Sequence, residues 1–255
     1  MITNTFSILS GIGPSTERRL WREGILTWSD FTSSGDISFI PGRRKTLYDE
    51  NLGEAIERLE ARDSSFFGRM MKSTDQWRLF EEFGDDAVCL DIETNGLPAT
   101  EGGYPTVVGL YGSDGFKAFV RGRDLNSRVI MESLSKYKYL ITFYGSVFDI
   151  PFLSRSLSGF EVDMPHLDLC FASRSLGYKG GLKKLETTLG IGRSGETTGL
   201  DGYDAVLLWK RAQRGDSRAL ELLVQYNMED TANLMSIARI LYPKLKASTG
   251  IEEFT

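Results

Sequence analysis

The feature that most constrains this chain is a strand of core quality that runs straight into two acids. Residues 87–97 read AVCLDIETNGL. Ala87, Val88, Cys89 and Leu90 form the unbroken apolar run of a strand buried on both faces. Asp91 and Glu93 follow two apart, so on a strand their carboxylates share one face while Ile92 points the other way, into the core. A carboxylate withdrawn from water needs a partner. Two of them at one strand end make an oxygen-rich pair suited to Mg²⁺ or Mn²⁺. A solvated strand end gives the same pattern, and a chain with 35 acidic residues offers an Asp-x-Glu by chance.

The surrounding pattern sets the fold class. "PTVVGLYGSDGFKAFVRG", residues 105–122, reads as two strands joined by a turn at Ser113–Gly115. An amphipathic helix follows over 123–137, then an apolar strand over 138–144. "VFDIPFLSRSL" opens a helix with Pro151 near its first turn. Beyond the strand-like run before "HLDLC" the chain is helical, over 181–189, 204–215 and the long stretch from Ser217 to Leu241. An antiparallel start followed by strands interleaved with helices predicts an α/β fold, a mixed sheet flanked by helices.

In front of it lies a helical unit over 1–63. Gly11-Ile12-Gly13 makes a tight turn, Pro14 takes the first helical position, and Gly24 ends the helix. Thr27 caps the next helix, which begins with Trp28 and Phe31, and 53–63 reads as a third, charged helix. Residues 64–84 connect this unit to the domain at 85–250, with Trp77, Phe80 and Phe83 at helical spacing against it.

Composition excludes several classes. At 255 residues the chain suffices for a large domain plus a small one. No apolar run approaches the length of a membrane span, and the N-terminus lacks the pattern of a signal peptide. The net charge of −5 argues against coating nucleic acid by bulk charge, yet leaves room for acids that hold cations. Cys89 and Cys170 read as buried free thiols of a cytoplasmic protein. With no Cys-x-x-Cys and a single histidine, His166, a zinc site of the usual type is excluded, and His166 is assigned a structural role.

Two further elements carry acids. Asp149 follows the apolar strand and a Gly-Ser loop, and opens a helix; capping explains an aspartate there as well as metal binding does. In "VQYNMEDTANL", Tyr226 and Asp230 are four apart and share a helix face, while Glu229 faces elsewhere and reads as solvated charge.

Taken in order, these elements resemble the DnaQ-like family of 3′–5′ exonucleases, which have the ribonuclease H-like fold and use Asp, Glu, Asp and Asp with a tyrosine or histidine before the last. Tyr226 stands four before Asp230 and position 225 is glutamine, so the chain is similar to the tyrosine (DEDDy) subclass over about 86–241. "LDIETNGL", "FDIPFL", "HLDLC", "GLKKLE" and "YNMED" resemble its YprB-like branch. That branch usually has asparagine and glycine ahead of Phe-Asp, where this chain has Tyr144-Gly145; Tyr144 either stacks on a base or packs.

The resemblance implies two divalent ions, Mg²⁺ or Mn²⁺. Asp91 would touch both, Glu93 and Asp230 would complete one shell, Asp149 would hold the other, and Tyr226 would orient or deprotonate the attacking water. It implies DNA or RNA with a 3′ end as substrate. Asp168 stays outside the metal shell. Lys183, Lys184 and Arg193 are either phosphate contacts or surface charge. "GIGP" resembles a helix-hairpin-helix element, in which the N–H groups of Gly11 and Gly13 hold a DNA phosphate with Arg18, Arg19 and Arg22 nearby; a ligand-free packing module is the alternative. A non-catalytic nucleic-acid-binding protein on the same fold, and a structure-specific endonuclease, are the rival functions.

Overall fold

The computed structural model describes residues 1–254. Among them, a five-stranded mixed sheet has the order β3-β2-β1-β4-β5, built from β1 (Ala87–Thr94), β2 (Pro105–Gly112), β3 (Gly115–Val120), β4 (Tyr139–Thr142) and β5 (His166–Asp168). β2 lies antiparallel to β1 and to β3, whereas β4 runs parallel to β1 and to β5. The mixed sheet flanked by helices is thus the one the strand pattern predicts.

Helices α1 (Pro14–Arg22), α2 (Trp28–Ser33), α3 (Gly42–Glu60) and α4 (Ser64–Met70) precede the sheet. A 3-10 helix, Ser73–Leu79, leads into the single turn α5 (Phe80–Phe83). The remaining helices are α6 (Ser127–Leu134), α7 (Asp149–Ser156), α8 (Leu169–Ser175), α9 (Leu182–Leu189), α10 (Gly202–Ala212) and α11 (Ser217–Ser248). No helix among the described residues is long and apolar enough to cross a membrane.

The alternation of β1 divides the core. Val88, Leu90 and Ile92 pack with Ile130 and Leu134 of α6 and with Phe152 and Leu153 of α7. On the opposite face Cys89 joins Leu234, Ile237 and Leu241 of α11, and this cluster continues without a break into Trp21, Trp28, Phe31 and Phe67 of the N-terminal helices. The connector lies between them. Trp77 and Phe80 pack on Tyr242 at 6.1 and 5.3 Å, and the Tyr139 hydroxyl donates to the Gln76 carbonyl at 2.8 Å.

Buried polar groups tie the helical segment down. Glu17 of α1 accepts from the Phe6 and Ser7 amides at 2.7 and 3.2 Å and from Arg78 at 3.0 Å. Thr27 caps α2 in a reciprocal capping box with Asp30.

Two local expectations differ. The third helix starts at Gly42, not at residue 53, and ends at Glu60, because Tyr48 and Leu52 upstream bury a face against the N-terminal core and carry the helix through Gly53. Within the connector the stretch Ser73–Leu79, which carries Trp77, is 3-10 rather than α-helical, between α4 and α5. Both thiols are free and buried.

Candidate metal centre

The site forms where β1 outruns its parallel neighbour. β4 pairs with β1 only through Cys89, so the Ile92 amide has no strand partner. The Asp149 carboxylate takes that place, accepting from Ile92 N at 3.1 Å. Asp149 is buried at the first position of α7, with Pro151 in the same turn, where a missing N–H costs nothing.

From the other side α11 crosses the sheet. Its buried Tyr226, Asn227, Asp230 and Thr231 face β1 and β2. Ligand oxygens of Asp91, Glu93 and Asp230 all lie within 4.8 Å of one another. The Asn227 amide donates to Asp91 Oδ2 at 2.9 Å and to the Asp91 carbonyl at 3.3 Å, which fixes the carboxylate's rotamer.

This approach depends on Gly109, the residue paired with Asp91 across β1 and β2. A Cβ there would lie 2.1 Å from Asn227 Oδ1 and 2.6 Å from Thr231 Oγ1. Gly109, which follows the branched Thr106, Val107 and Val108, is therefore where the helix backbone comes close. Neither Gly109 nor Asn227 is singled out by the sequence pattern. An isolated glycine inside a strand is the one signal that points to such a contact.

The carboxylates are held well away from their ordinary titration. Burial, then the charges of Asp230, Asp149 and Glu93, push Asp91 well above the usual carboxylate range. Burial and the charges of Asp230 and Asp149 do the same to Glu93. Burial raises Asp149 to about 7, opposed by hydrogen bonds from its own amide and that of Ile92 and assisted by Asp168. Burial also raises Asp230, against the pull of Arg193. Tyr226 is raised by burial and then by Asp230, Glu93 and Asp91, so its hydroxyl stays protonated beside these acids.

The donor set fits a hard divalent cation. It is all oxygen and over-rich in negative charge: among the described residues, the ion pair of Arg193 with Asp230 Oδ1 is the only one made to the four acids. A cation there replaces protons, which gives a signed expectation. Asp149 titrates near 3.8 when unfolded and near 7 when folded. The folded, metal-free protein therefore holds the extra proton between those values, and its stability falls as pH rises from about 4 to about 7. Melting curves of wild type and Asp149→Asn across that window, with and without Mg²⁺, check this. The wild-type loss should be larger than the variant's, and Mg²⁺ should restore most at pH 7 and above.

Around the acids the structure places several residues differently from expectation. Arg193 is not an exposed phosphate contact: it donates to Glu186 through Nε and Nη2, each at 2.7 Å, and forms an ion pair with Asp230. Lys183 stands over the Tyr226 ring at 4.6 Å, its buried ammonium without a hydrogen-bond partner, while Lys184 is exposed. Glu229 is not free solvated charge: it accepts from the Ser194 amide at 3.3 Å and from the Thr197 hydroxyl, because the loop after α9 folds back over α11.

Asp168 lies outside the cluster of three acids. It accepts from the amides of Tyr144, Ser146 and Cys170 at 2.8, 3.1 and 3.0 Å, and so shapes the loop that delivers Asp149. That loop holds Tyr144 at φ 65°, a left-handed conformation that asparagine adopts with less strain than tyrosine. The Tyr144 ring is 41% exposed and sits 6.1 Å from Phe171. His166 is paired with Thr142 Oγ1 at 2.7 Å, and burial lowers it to about 4.

In the N-terminal unit Gly11 has φ +87° and Gly13 is the N-cap of α1 with no side-chain cap. Gly11 borders a cavity of about 370 Å³ lined also by Ser15, Thr16, Arg19 and Arg44. Arg18 donates to the Thr249 carbonyl at 3.0 Å, and Arg22 is exposed.

Comparison with known proteins agrees with this architecture. The structure resembles that of the family B DNA polymerase from the hyperthermophilic archaeon Pyrobaculum calidifontis, with a TM-score of 0.50 and 17% identity over 62% of this chain and 24% of that one. The match spans about a quarter of the polymerase and shows a shared fold. The apo form of a nuclease aligns with a TM-score of 0.47 and 23% identity, over 66% of this chain and 77% of that one. No curated protein matches the chain. The model of the RNase H superfamily matches residues 88–242, from β1 with Asp91 and Glu93 through α11 with Tyr226 and Asp230, and the chain belongs to that superfamily.

Proposed function

We propose that the protein is a divalent-metal-dependent 3′–5′ exonuclease of the DnaQ-like tyrosine subclass, in its YprB-like branch, acting on DNA or RNA. The observation that carries this reading is the convergence of Asp91, Glu93 and Asp230 from elements some 140 residues apart, with ligand oxygens within 4.8 Å. Asp149 and Tyr226 border them. Two ions, Mg²⁺ or Mn²⁺, would supply charge for the scissile phosphate and a water acidified for attack.

The chain's own residues do the rest. Asp91, Glu93, Asp149 and Asp230 would hold the ions, and Asn227 fixes the Asp91 carboxylate through its hydrogen bond. Tyr226 positions the water through its hydroxyl, which is protonated in this environment. Lys183, whose buried ammonium lacks a partner, would turn outward to meet the phosphate backbone, and the exposed Tyr144 ring offers a face for a base. Residues 1–63, joined through 64–84 to the catalytic domain at 85–250, form a module resembling a helix-hairpin-helix. There the amides near Gly11 and Gly13 hold a phosphate without reading sequence.

Turnover of 5′- and 3′-labelled DNA and RNA with Mn²⁺ or Mg²⁺, beside Asp91→Ala, tests the reading. A ladder shortened stepwise from the 3′ end supports it. Internal fragments would make the protein an endonuclease, and binding without product would make it a non-catalytic nucleic-acid-binding protein. An unchanged rate in Asp91→Ala would remove the site.

A further inference from the structure

We infer that Arg193 is an internal counter-ion of the acid cluster, which competes with the divalent cation for Asp230 and is displaced from it when the cation binds; the inference rests on the metal-binding reading above. The geometry is asymmetric. Glu186 grips the guanidinium through two hydrogen bonds, Nε to Oε2 and Nη2 to Oε1, both 2.7 Å. Asp230 meets the same Nη2 through Oδ1 as an ion pair, and Arg193 Nη1 is left without a hydrogen-bond partner. Glu186, through its two hydrogen bonds, is thus the anchor of Arg193, and Asp230 is a second hold.

Burial makes the contact matter. The side chains of Arg193 and Asp230 are 9% and 10% exposed, so solvent screens the pair little. Asp91 is bonded to the Asn227 amide instead, which carries no charge. The charge of Arg193 therefore does in the metal-free protein part of what a cation does in the loaded one, and it occupies a ligand oxygen while doing so.

Displacement need not eject the side chain. Glu186 is itself held by Asn233 of α11, whose Nδ2 donates to Oε1 at 2.8 Å, and Asn233 lies one turn beyond Asp230. The loop that follows Arg193 is tied to α11 through Glu229 and through Gln225, whose Nε2 donates to Ser194 Oγ at 2.9 Å. A guanidinium released by Asp230 stays on Glu186, beside the site. The cation, in taking Asp230, meets like charge, so Arg193 raises the metal concentration needed for loading.

The test is calorimetric titration of Mn²⁺ into the full chain, wild type against Arg193→Gln. The variant should bind Mn²⁺ at least about tenfold more tightly, a shift of about 1.4 kcal/mol. Its metal-free form should melt lower and its Mn²⁺-induced rise in melting temperature should be larger. A residue that merely supports the fold, or that helps to orient Asp230 for the ion, predicts equal or weaker Mn²⁺ binding, and either result overturns the inference. Should Arg193→Gln fail to fold, a structure of the wild type with Mn²⁺ decides: the Arg193–Asp230 contact should be broken, and an intact contact with Mn²⁺ on Asp230 overturns it. A wild type that binds no Mn²⁺ sinks the metal-binding reading and this inference together. A wild type that binds it, beside a variant that binds no better, sinks this inference alone.

Discussion

An Asp91→Asn variant should lose at least about 10³-fold of its hydrolytic rate, equivalent to about 4 kcal/mol of transition-state stabilisation, while its metal-free form melts at a higher temperature than wild type. Both effects have one cause. Asp91 sits among Glu93, Asp149 and Asp230, and each of the four is raised by burial and, for Asp91 and Glu93, by the other acids. Without a cation, that gathering of charge opposes folding. Asparagine keeps the shape and still accepts the Asn227 hydrogen bond through its own amide oxygen, but removes one charge.

The gain in metal-free stability should vanish when Mg²⁺ is added, because the wild type then recovers what the variant cannot. Thermal melts with and without EDTA, beside initial rates on a labelled oligonucleotide, measure both halves. A variant that cleaves normally would take Asp91 out of the chemistry. One that is inactive yet melts below wild type without metal would show that the acids are not in net repulsion. Stability set aside for function is common at active sites, and here it has a named electrostatic source.

Gly109→Ala should cost about 1–3 kcal/mol of stability and weaken Mn²⁺ binding at least about tenfold, although Gly109 carries no functional group. The added methyl would overlap Asn227 Oδ1 and Thr231 Oγ1, at 2.1 and 2.6 Å, both on the face of α11 that carries Asp230. These are side-chain atoms close to the helix backbone, and Thr231 Oγ1 is already committed to the Asn227 carbonyl at 2.6 Å. The helix must back away from β1, taking Asp230 with it and breaking the bond from Asn227 to Asp91.

A control separates this from a general intolerance of alanine for glycine. Gly35 has open space where its Cβ would stand and an ordinary φ, so Gly35→Ala should leave stability and Mn²⁺ binding unchanged. Calorimetry with Mn²⁺ and denaturant melts on both variants are the measurement. If Gly109→Ala binds Mn²⁺ as the wild type does, the close approach of α11 is not what sets the geometry of the acids.

The mixed sheet could be read from the chain because its signals are local. The apolar run at 87–90, the Ser-Asp-Gly turn between β2 and β3, and the helical periodicity of α11 each lie within one element. The shared face of Asp91 and Glu93, and that of Tyr226 and Asp230, follow from the periods of a strand and a helix alone. Where a longer-range contact overrides local pattern, the reading slips. Gly53 looks like a helix start, yet the core contacts of Tyr48 and Leu52 extend α3 back to Gly42.

What the sequence determined by itself was therefore the set of elements and the face on which each acid lies, since backbone geometry fixes both within a few residues. Only the tertiary structure decided what those faces meet. The pairing of Gly109 with Asp91, the turn of Asn227 onto that carboxylate, and the lodging of Arg193 between Glu186 and Asp230 join residues as much as 136 positions apart. Such contacts depend on how closely one helix settles on one sheet and on which buried charges need a neighbour, and no periodicity along the chain encodes either.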